Sequence, residues 1–223
     1  MKKKILTVVI ADDHEIFLKG LKQTLEEMEG FQVLAVAGNG IELVAQCRLH
    51  QPDIVFTDIK MPGLNGPAAT RQIMELLPQT IVLALSMYED DHTIIDILTA
   101  GARGFIKKGA RSAEIAAAVK QLSSDDRYYC GSGSVALHSL IKKYSYKRLP
   151  VNALLCTKRE REVIQLLCEG FSTNEIAEKL FITPTTVSGH RSSLLKKTGS
   201  KNTPGILLYA FQNGLYEDPG KED

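Results

Sequence analysis

Acidic side chains follow two apolar segments in the first half of this sequence. Asp12 and Asp13 end the segment KILTVVIADD, and Asp58 ends the segment DIVFTD, which leads into a turn with the sequence MPG. Clustered carboxylates repel one another unless a cation neutralises them, and Mg²⁺ is bound in proteins by a few carboxylates together with water. An aspartate can also attack phosphorus as a nucleophile. The sequence therefore predicts magnesium-dependent phosphoryl chemistry, with Asp58 as nucleophile and with Asp12, Asp13 and Asp58 as metal ligands.

The segments that position these acids alternate between two patterns over residues 1–125. Five short apolar runs have the pattern of buried strands, and each is followed by a segment with helical periodicity. In the first such helix, the apolar residues with helical spacing are Ile16, Leu21, Leu25 and Met28. This alternation predicts an α/β fold, a doubly wound five-stranded parallel sheet.

Two further polar residues are predicted at the same edge of the sheet, since ligands of open parallel sheets bind beyond the carboxyl ends of the strands. Ser86 ends the fourth apolar run and Lys108 follows the fifth. We expect Ser86 to donate its hydroxyl to phosphoryl oxygens and Lys108 to balance their charge. The backbone carbonyl of Lys60 is expected as another metal ligand.

The charge balance divides the chain. Residues 1–125 carry 13 basic and 16 acidic side chains, whereas residues 126–223 carry 14 and 10. A net charge of −3 against +4 favours a polyanion as partner of the second half. We predict a domain over 1–125, a linker over 126–152 that contains the helical pattern SVALHSLIKKY, a second domain over 153–218 and a tail over 219–223.

The second domain has the pattern of a helix-turn-helix. TKRE is a capping box at the start of one helix, and Thr183 precedes Pro184 at the start of another. In a helix-turn-helix the second helix enters the DNA major groove, and Val187 and Leu194 would anchor it to the core. The residues predicted to contact DNA are Ser188, His190, Arg191, Ser192, Lys196, Lys197 and Lys158.

The sequence argues against a membrane protein and against a secreted one. No apolar run approaches the roughly 20 residues of a membrane helix, and the basic N-terminus leads to two acids rather than to a signal-peptide cleavage site. The four cysteines form no CxxC pair, which is typical of reduced thiols. We therefore expect a cytoplasmic protein without a membrane partner.

The motifs ADDHEIF, DIVFTDIKMPGLNG, LALSMYEDD and GARGFIKKG resemble the receiver domain of two-component response regulators. The resemblance implies a flavodoxin-like fold, Mg²⁺ as cofactor and a sensor histidine kinase as phosphoryl donor. It also implies that Phe105 is the aromatic switch residue, which acts together with Ser86.

The segment TKREREVIQLLCEGFSTNEIAEKLFITPTTVSGHRSSLLKKTGS resembles the LuxR-type helix-turn-helix of NarL/FixJ-type regulators. This implies a non-enzymatic transcription regulator that binds double-stranded DNA as a homodimer when phosphorylated. The dimer would form through the last helix, with Leu207, Leu208 and Phe211; RNA polymerase stays open as another partner. The sequence departs from the family pattern at Ser188, where Lys is usual, and at Ser193, where Asn is usual.

Two alternatives remain from other classes. An aspartyl-phosphate phosphatase needs a second acid two residues after the nucleophile, and that position is Lys60 here. The other alternative is a constitutive DNA-binding regulator whose receiver only docks other proteins, and the intact set of acids argues against it.

Overall fold

The computed structural model describes residues 5–87, 91–124, 129–130 and 156–216. The chain forms two compact units, residues 1–122 and 123–223. The helix predicted within the linker and the tail at 219–223 lie outside the described residues, and the domain boundaries stay predictions.

A parallel sheet forms the centre of the first unit. Its strands are β1 (Leu6–Ala11), β2 (Phe31–Ala37), β3 (Ile54–Asp58), β4 (Ile81–Ser86) and β5 (Gly104–Lys107). The intervening helices are α1 (Glu15–Glu26), α2 (Gly40–His50), α3 (Gly66–Leu76), α4 (Asp91–Ala100) and α5 (Ser112–Ser124). The sheet order of these strands is β2-β1-β3-β4-β5, and the chain has one further two-residue strand, β6 (Tyr129–Cys130). The predicted fold class is therefore confirmed, with one short strand that the sequence did not predict.

The strand register brings the acidic ends together. Ala11 of β1 pairs with Thr57 of β3, and Asp58 pairs with Leu85 of β4. All residues of β3 and β4 are buried, as expected for central strands of a sheet covered on both faces. The chain therefore leaves β1, β3 and β4 at one common edge.

The turn after Asp58 depends on two glycines. Gly63 has a φ of +73°, a conformation that strains residues with a Cβ. A Cβ on Gly66 would lie 2.2 Å from the Asp58 carbonyl oxygen. Helix α3 can begin so close to β3 because Gly66 has no side chain, and Asn65 caps this helix by accepting a hydrogen bond from the backbone of Ala68 (2.9 Å).

Residues 156–216 of the second unit contain four helices: α6 (Lys158–Cys168), α7 (Thr173–Leu180), α8 (Pro184–Thr198) and α9 (Thr203–Gln212). The predicted capping box of Thr157 and Glu160 is present at α6, and Thr183 caps α8 ahead of Pro184. Val187 and Leu194 are fully buried, as predicted. Helices α7 and α8 thus stand as the two helices of a helix-turn-helix.

Across the described helices, no segment is both long and apolar enough to cross a membrane.

We expect Gly66→Ala to lower the free energy of unfolding by about 1–3 kcal/mol, because the added methyl group would collide with backbone atoms of Asp58 and Ile59. Denaturant unfolding of the full-length protein measures this loss. Gly20→Ala is the matched control, since a Cβ there meets nothing within 4 Å and alanine in a helix interior stabilises by about 0.5–1 kcal/mol. Equal effects of the two substitutions would contradict this explanation of the turn.

Candidate functional site

An ammonium group lies between two buried carboxylates at the edge of the sheet. Lys108 Nζ is 2.7 Å from Asp12 Oδ2 and 2.8 Å from Asp58 Oδ2. Asp12 is fully buried, and only 4% of the Lys108 side chain is exposed. The second oxygen of Asp58 accepts a hydrogen bond from the backbone N–H of Ile59 (2.7 Å). Both oxygens of Asp58 are therefore held in place, as a positioned nucleophile requires.

Asp13 and His14 complete a cluster at this edge. His14 Nδ1 lies 3.0 Å from Asp12 Oδ1 and 2.8 Å from Asp13 Oδ1. One ligand atom from each of Asp12, Asp13, His14 and Asp58 lies within 4.8 Å of the others. The structure thus brings together the three acids and the lysine that the sequence singled out, and it adds a histidine that the sequence analysis missed. The signal for His14 was its place directly after the acid pair.

The chemistry of the donor set fits a divalent cation. The cluster contains three carboxylates, and the Lys108 ammonium contacts two of them, Asp12 and Asp58. The buried Asp12 Oδ2 lies 2.7 Å from the Lys108 ammonium, and a carboxylate oxygen can accept from more than one partner. Carboxylate oxygens with spare acceptor capacity and excess negative charge are what Mg²⁺ binds.

Burial shifts the acid–base properties of this cluster. Burial raises the pKa of the Asp58 carboxyl above its ordinary value, against the opposing hydrogen bond and charge of Lys108. For Lys108 itself burial works to lower the pKa, but the hydrogen bonds that it donates to Asp12 and Asp58, and their negative charge, outweigh burial and raise it. The ammonium thus stays charged, whereas further positive charge nearby would favour the ionised form of Asp58.

The other residues predicted for this site lie on the same strands or loops. Ser86 is buried at the end of β4, and its carbonyl accepts a hydrogen bond from the backbone N–H of Lys108 (2.9 Å). Phe105 is buried within β5, and Lys60 is exposed two residues after Asp58. The hydroxyl role of Ser86, the switch role of Phe105 and the carbonyl role of Lys60 stay predictions.

In the second unit, a buried glutamate connects α6 to α8. Glu160 accepts hydrogen bonds from Ser193 Oγ (2.7 Å) and from Lys197 Nζ (2.7 and 2.9 Å). It also accepts from the backbone N–H of Thr157 (2.7 Å). These donors outweigh burial and lower the Glu160 pKa to about 2. Lys197, predicted to contact DNA phosphate, is exposed but has an internal partner, and Ser193 is half-buried against the same glutamate.

The prediction that Arg191 extends toward DNA is wrong. Its side chain is buried and donates to Thr173 Oγ1 (2.7 Å) and Thr203 Oγ1 (2.6 Å). Thr173 and Thr203 are the first residues of α7 and α9. Arg191 therefore ties the starts of two helices to the middle of α8.

The remaining residues predicted to contact DNA have accessible side chains. Ser192, Lys196 and Lys158 are exposed, and Ser188 and His190 are half-buried. Of the three apolar residues proposed for dimerisation, Leu207 is fully buried in the core, whereas Leu208 and Phe211 are half-buried.

Comparisons with known proteins show the family of each half of the chain. Residues 8–120 match the family model described as response regulator receiver domain, and residues 155–210 match that of bacterial regulatory proteins, luxR family. The chain is 31% identical to the oxygen regulatory protein NreC of Staphylococcus carnosus over 216 residues, 95% of this chain and 100% of NreC.

Solved structures with similar folds include response regulators with and without DNA. A complex of the two-component response regulator RcsB with DNA has a TM-score of 0.55 at 27% identity, covering 92% of this chain and 96% of RcsB. The signal receiver domain of NarL from Mycobacterium tuberculosis has a TM-score of 0.52 at 27% identity, covering 54% of this chain and 98% of that domain.

The Glu160 contacts predict a pH-dependent stability. Because the folded-state pKa of Glu160 is lowered to about 2, its contribution is present above the unfolded pKa of about 4.3 and is lost as the pH falls toward 2. We expect Glu160→Gln to lower the free energy of unfolding by about 1–3 kcal/mol at pH 7, and its difference from wild type to shrink below pH 4. Chemical unfolding followed by circular dichroism measures this; a difference that stays constant down to pH 2 would refute the assignment.

Arg191→Ala should act on stability rather than on phosphate contacts. We expect a loss of about 2–4 kcal/mol in the free energy of unfolding, because a buried side chain and its hydrogen bonds are removed. The exposed Lys196→Ala is the control: its stability should change by less than about 0.5 kcal/mol, while the salt slope of DNA binding falls by about 1. If Arg191→Ala reduced the salt slope and left stability unchanged, Arg191 would belong to the DNA interface.

Proposed function

This chain belongs to the response regulators that join a receiver domain to a LuxR-type DNA-binding domain, and we propose that phosphorylation of Asp58 controls its binding to DNA. The observation that carries this proposal is the position of Asp58, buried beside Asp12 and held by the Lys108 ammonium at 2.8 Å. A sensor histidine kinase is the proposed donor of the phosphoryl group.

The proposed reaction makes an acyl phosphate on Asp58. A carboxylate oxygen forms a bond to phosphorus while the bond from phosphorus to the donor's imidazole nitrogen breaks. Lys108 already lies 2.8 Å from Asp58 Oδ2, so its ammonium can offset charge on the transferred oxygens without moving far. Ser86, at the end of the neighbouring strand, is proposed to donate its hydroxyl to the same group.

Asp12, Asp13 and Asp58 are the residues that would hold Mg²⁺, together with the carbonyl of Lys60. The ion would supply positive charge for the phosphoryl oxygens. The raised pKa of Asp58 supports this proposal, since added positive charge favours the ionised form of Asp58 that attacks phosphorus.

Double-stranded DNA is the proposed partner of the second unit. The exposed side chains of Ser192 and Lys196 on α8, with Ser188 and His190 nearby, are proposed to face the major groove. Lys158, exposed at the start of α6, is proposed to add a phosphate contact. Because this partner is DNA, we propose that the protein acts in the cytoplasm.

Phosphorylation is proposed to shift an equilibrium toward a DNA-competent homodimer, with Ser86 and Phe105 as the responding residues. Leu208 and Phe211 of α9 are the proposed dimer contacts, since Leu207 is already used by the core. RNA polymerase is proposed as a further partner of the bound dimer. A receiver that only docks other proteins would have no use for a buried acid–lysine cluster, so this alternative is less well supported.

We expect Asp58→Asn protein to take no label from radioactive acetyl phosphate with Mg²⁺, because the amide cannot form an acyl phosphate. The wild type should be labelled, and acetyl phosphate should increase the genomic DNA fragments that it captures. In the variant the phosphodonor should leave DNA capture unchanged.

Asp96→Asn is the matched control, since Asp96 is an exposed acid on α4 of the same domain. It should be labelled as the wild type is. Labelling of Asp58→Asn at the wild-type level would show that Asp58 is not the phosphoacceptor, and DNA capture that ignores the phosphodonor in wild type would favour constitutive binding.

A further inference from the structure

One side chain in the acid cluster has no part in the proposed phosphoryl transfer. His14 is the residue before α1, but its side chain makes no capping hydrogen bond to that helix. Instead its ring turns toward the acids, with Nδ1 3.0 Å from Asp12 Oδ1 and 2.8 Å from Asp13 Oδ1. The backbone N–H of His14 donates to the same Asp12 oxygen (2.9 Å). The imidazole nitrogen therefore lies between the two carboxylates that we propose as metal ligands.

The position of His14 has a direct chemical consequence. Ionised carboxylates only accept hydrogen bonds, so Nδ1 must carry the proton when it lies between the two oxygens. This N–H lies where positive charge is favoured, and it offsets part of the negative charge that a cation would otherwise neutralise. An ion bound by Asp12 and Asp13 must therefore displace this N–H, or bind Nδ1 after its proton is released to solvent and Nε2 carries the ring proton.

The geometry allows the His14 ring either to move away from a bound ion or to bind it. The His14 side chain is 69% exposed, so it can rotate into solvent without disturbing the core. One ligand atom from each of the three acids and His14 already lies within 4.8 Å of the others. Opposing ligands at about 2.1 Å from one ion are about 4.2 Å apart, so a small contraction would let all four side chains share an ion.

We propose that His14 determines which metal this site prefers. Magnesium takes oxygen ligands almost exclusively, so for Mg²⁺ the imidazole is a competitor that must move away. Borderline ions such as Zn²⁺ accept imidazole readily, so for Zn²⁺ the same ring is a fourth protein ligand. His14 thus gives the receiver a second class of cation, a borderline divalent ion, beside Mg²⁺. This inference rests on the proposed metal site of Asp12, Asp13 and Asp58.

The test uses the full-length protein without a histidine tag, as wild type, His14→Ala and the control His50→Ala at the end of α2. Calorimetric titration measures the affinity of each protein for Mg²⁺ and for Zn²⁺. We expect His14→Ala to weaken Zn²⁺ binding at least about tenfold and to bind Mg²⁺ as tightly as wild type or more tightly. His50→Ala should match wild type for both ions.

A second measurement reports ligation directly. Long-range ¹H–¹⁵N spectra of the histidine rings, assigned by the loss of signals in His14→Ala, should show the Nδ1 resonance of His14 moving to a metal-bound position on saturation with Zn²⁺. A Zn²⁺ affinity of His14→Ala within twofold of wild type, or an unmoved Nδ1 resonance, would overturn the role of His14.

The two proposals fail in different ways. If wild type binds Mg²⁺ and is phosphorylated, but His14→Ala changes neither ion's affinity, only the inference on His14 is lost. If wild type binds neither ion, or if Asp58→Asn leaves the affinity for both ions unchanged, the proposed metal site itself is wrong.

Discussion

The receiver is organised around the contact of one ammonium with two buried carboxylates. Taking charged groups out of water is unfavourable unless they are paired, and Lys108 meets this need for Asp12 and Asp58 at 2.7 and 2.8 Å. The parallel sheet makes the contact possible, since β1, β3 and β5 deliver these residues to one edge. One ammonium cannot balance three acids, however, and the remaining negative charge is what makes the site suited to a cation and to a transferred phosphoryl group.

The second unit also pairs buried charged groups, and there the pairing stabilises the fold. Glu160 is buried and ionised because Lys197, Ser193 and the backbone of Thr157 all donate to it. Arg191 is buried because two threonine hydroxyls accept from its guanidinium. Both networks fix α8, the second helix of the helix-turn-helix, against its neighbours. Two basic residues of α8, Arg191 and Lys197, thus hold this helix in place.

The sequence predicted the fold and the acid–lysine cluster because those signals are local: each polar residue follows its own apolar strand. The sequence-based prediction failed where the direction of a side chain decides whether the residue is buried or exposed. Ile16 was grouped with Leu21 and Leu25, yet it is 88% exposed, because the buried stripe of α1 runs through Leu18, Leu21 and Leu25.

Arg191 was assigned to DNA from its charge, although it shares a helical stripe with the buried Val187 and Leu194. Its threonine partners lie 18 and 12 residues away, and no local pattern reveals them.

The central claim is that the acid cluster holds Mg²⁺ and that Asp58 accepts a phosphoryl group. Beryllofluoride, which mimics a phosphoryl group, tests this claim most directly by ¹⁹F magnetic resonance of the full-length protein. The account predicts a bound fluoride signal that requires both Mg²⁺ and the Asp58 carboxylate. A bound signal that persists in Asp58→Asn or without Mg²⁺, or no bound signal in wild type, would contradict it.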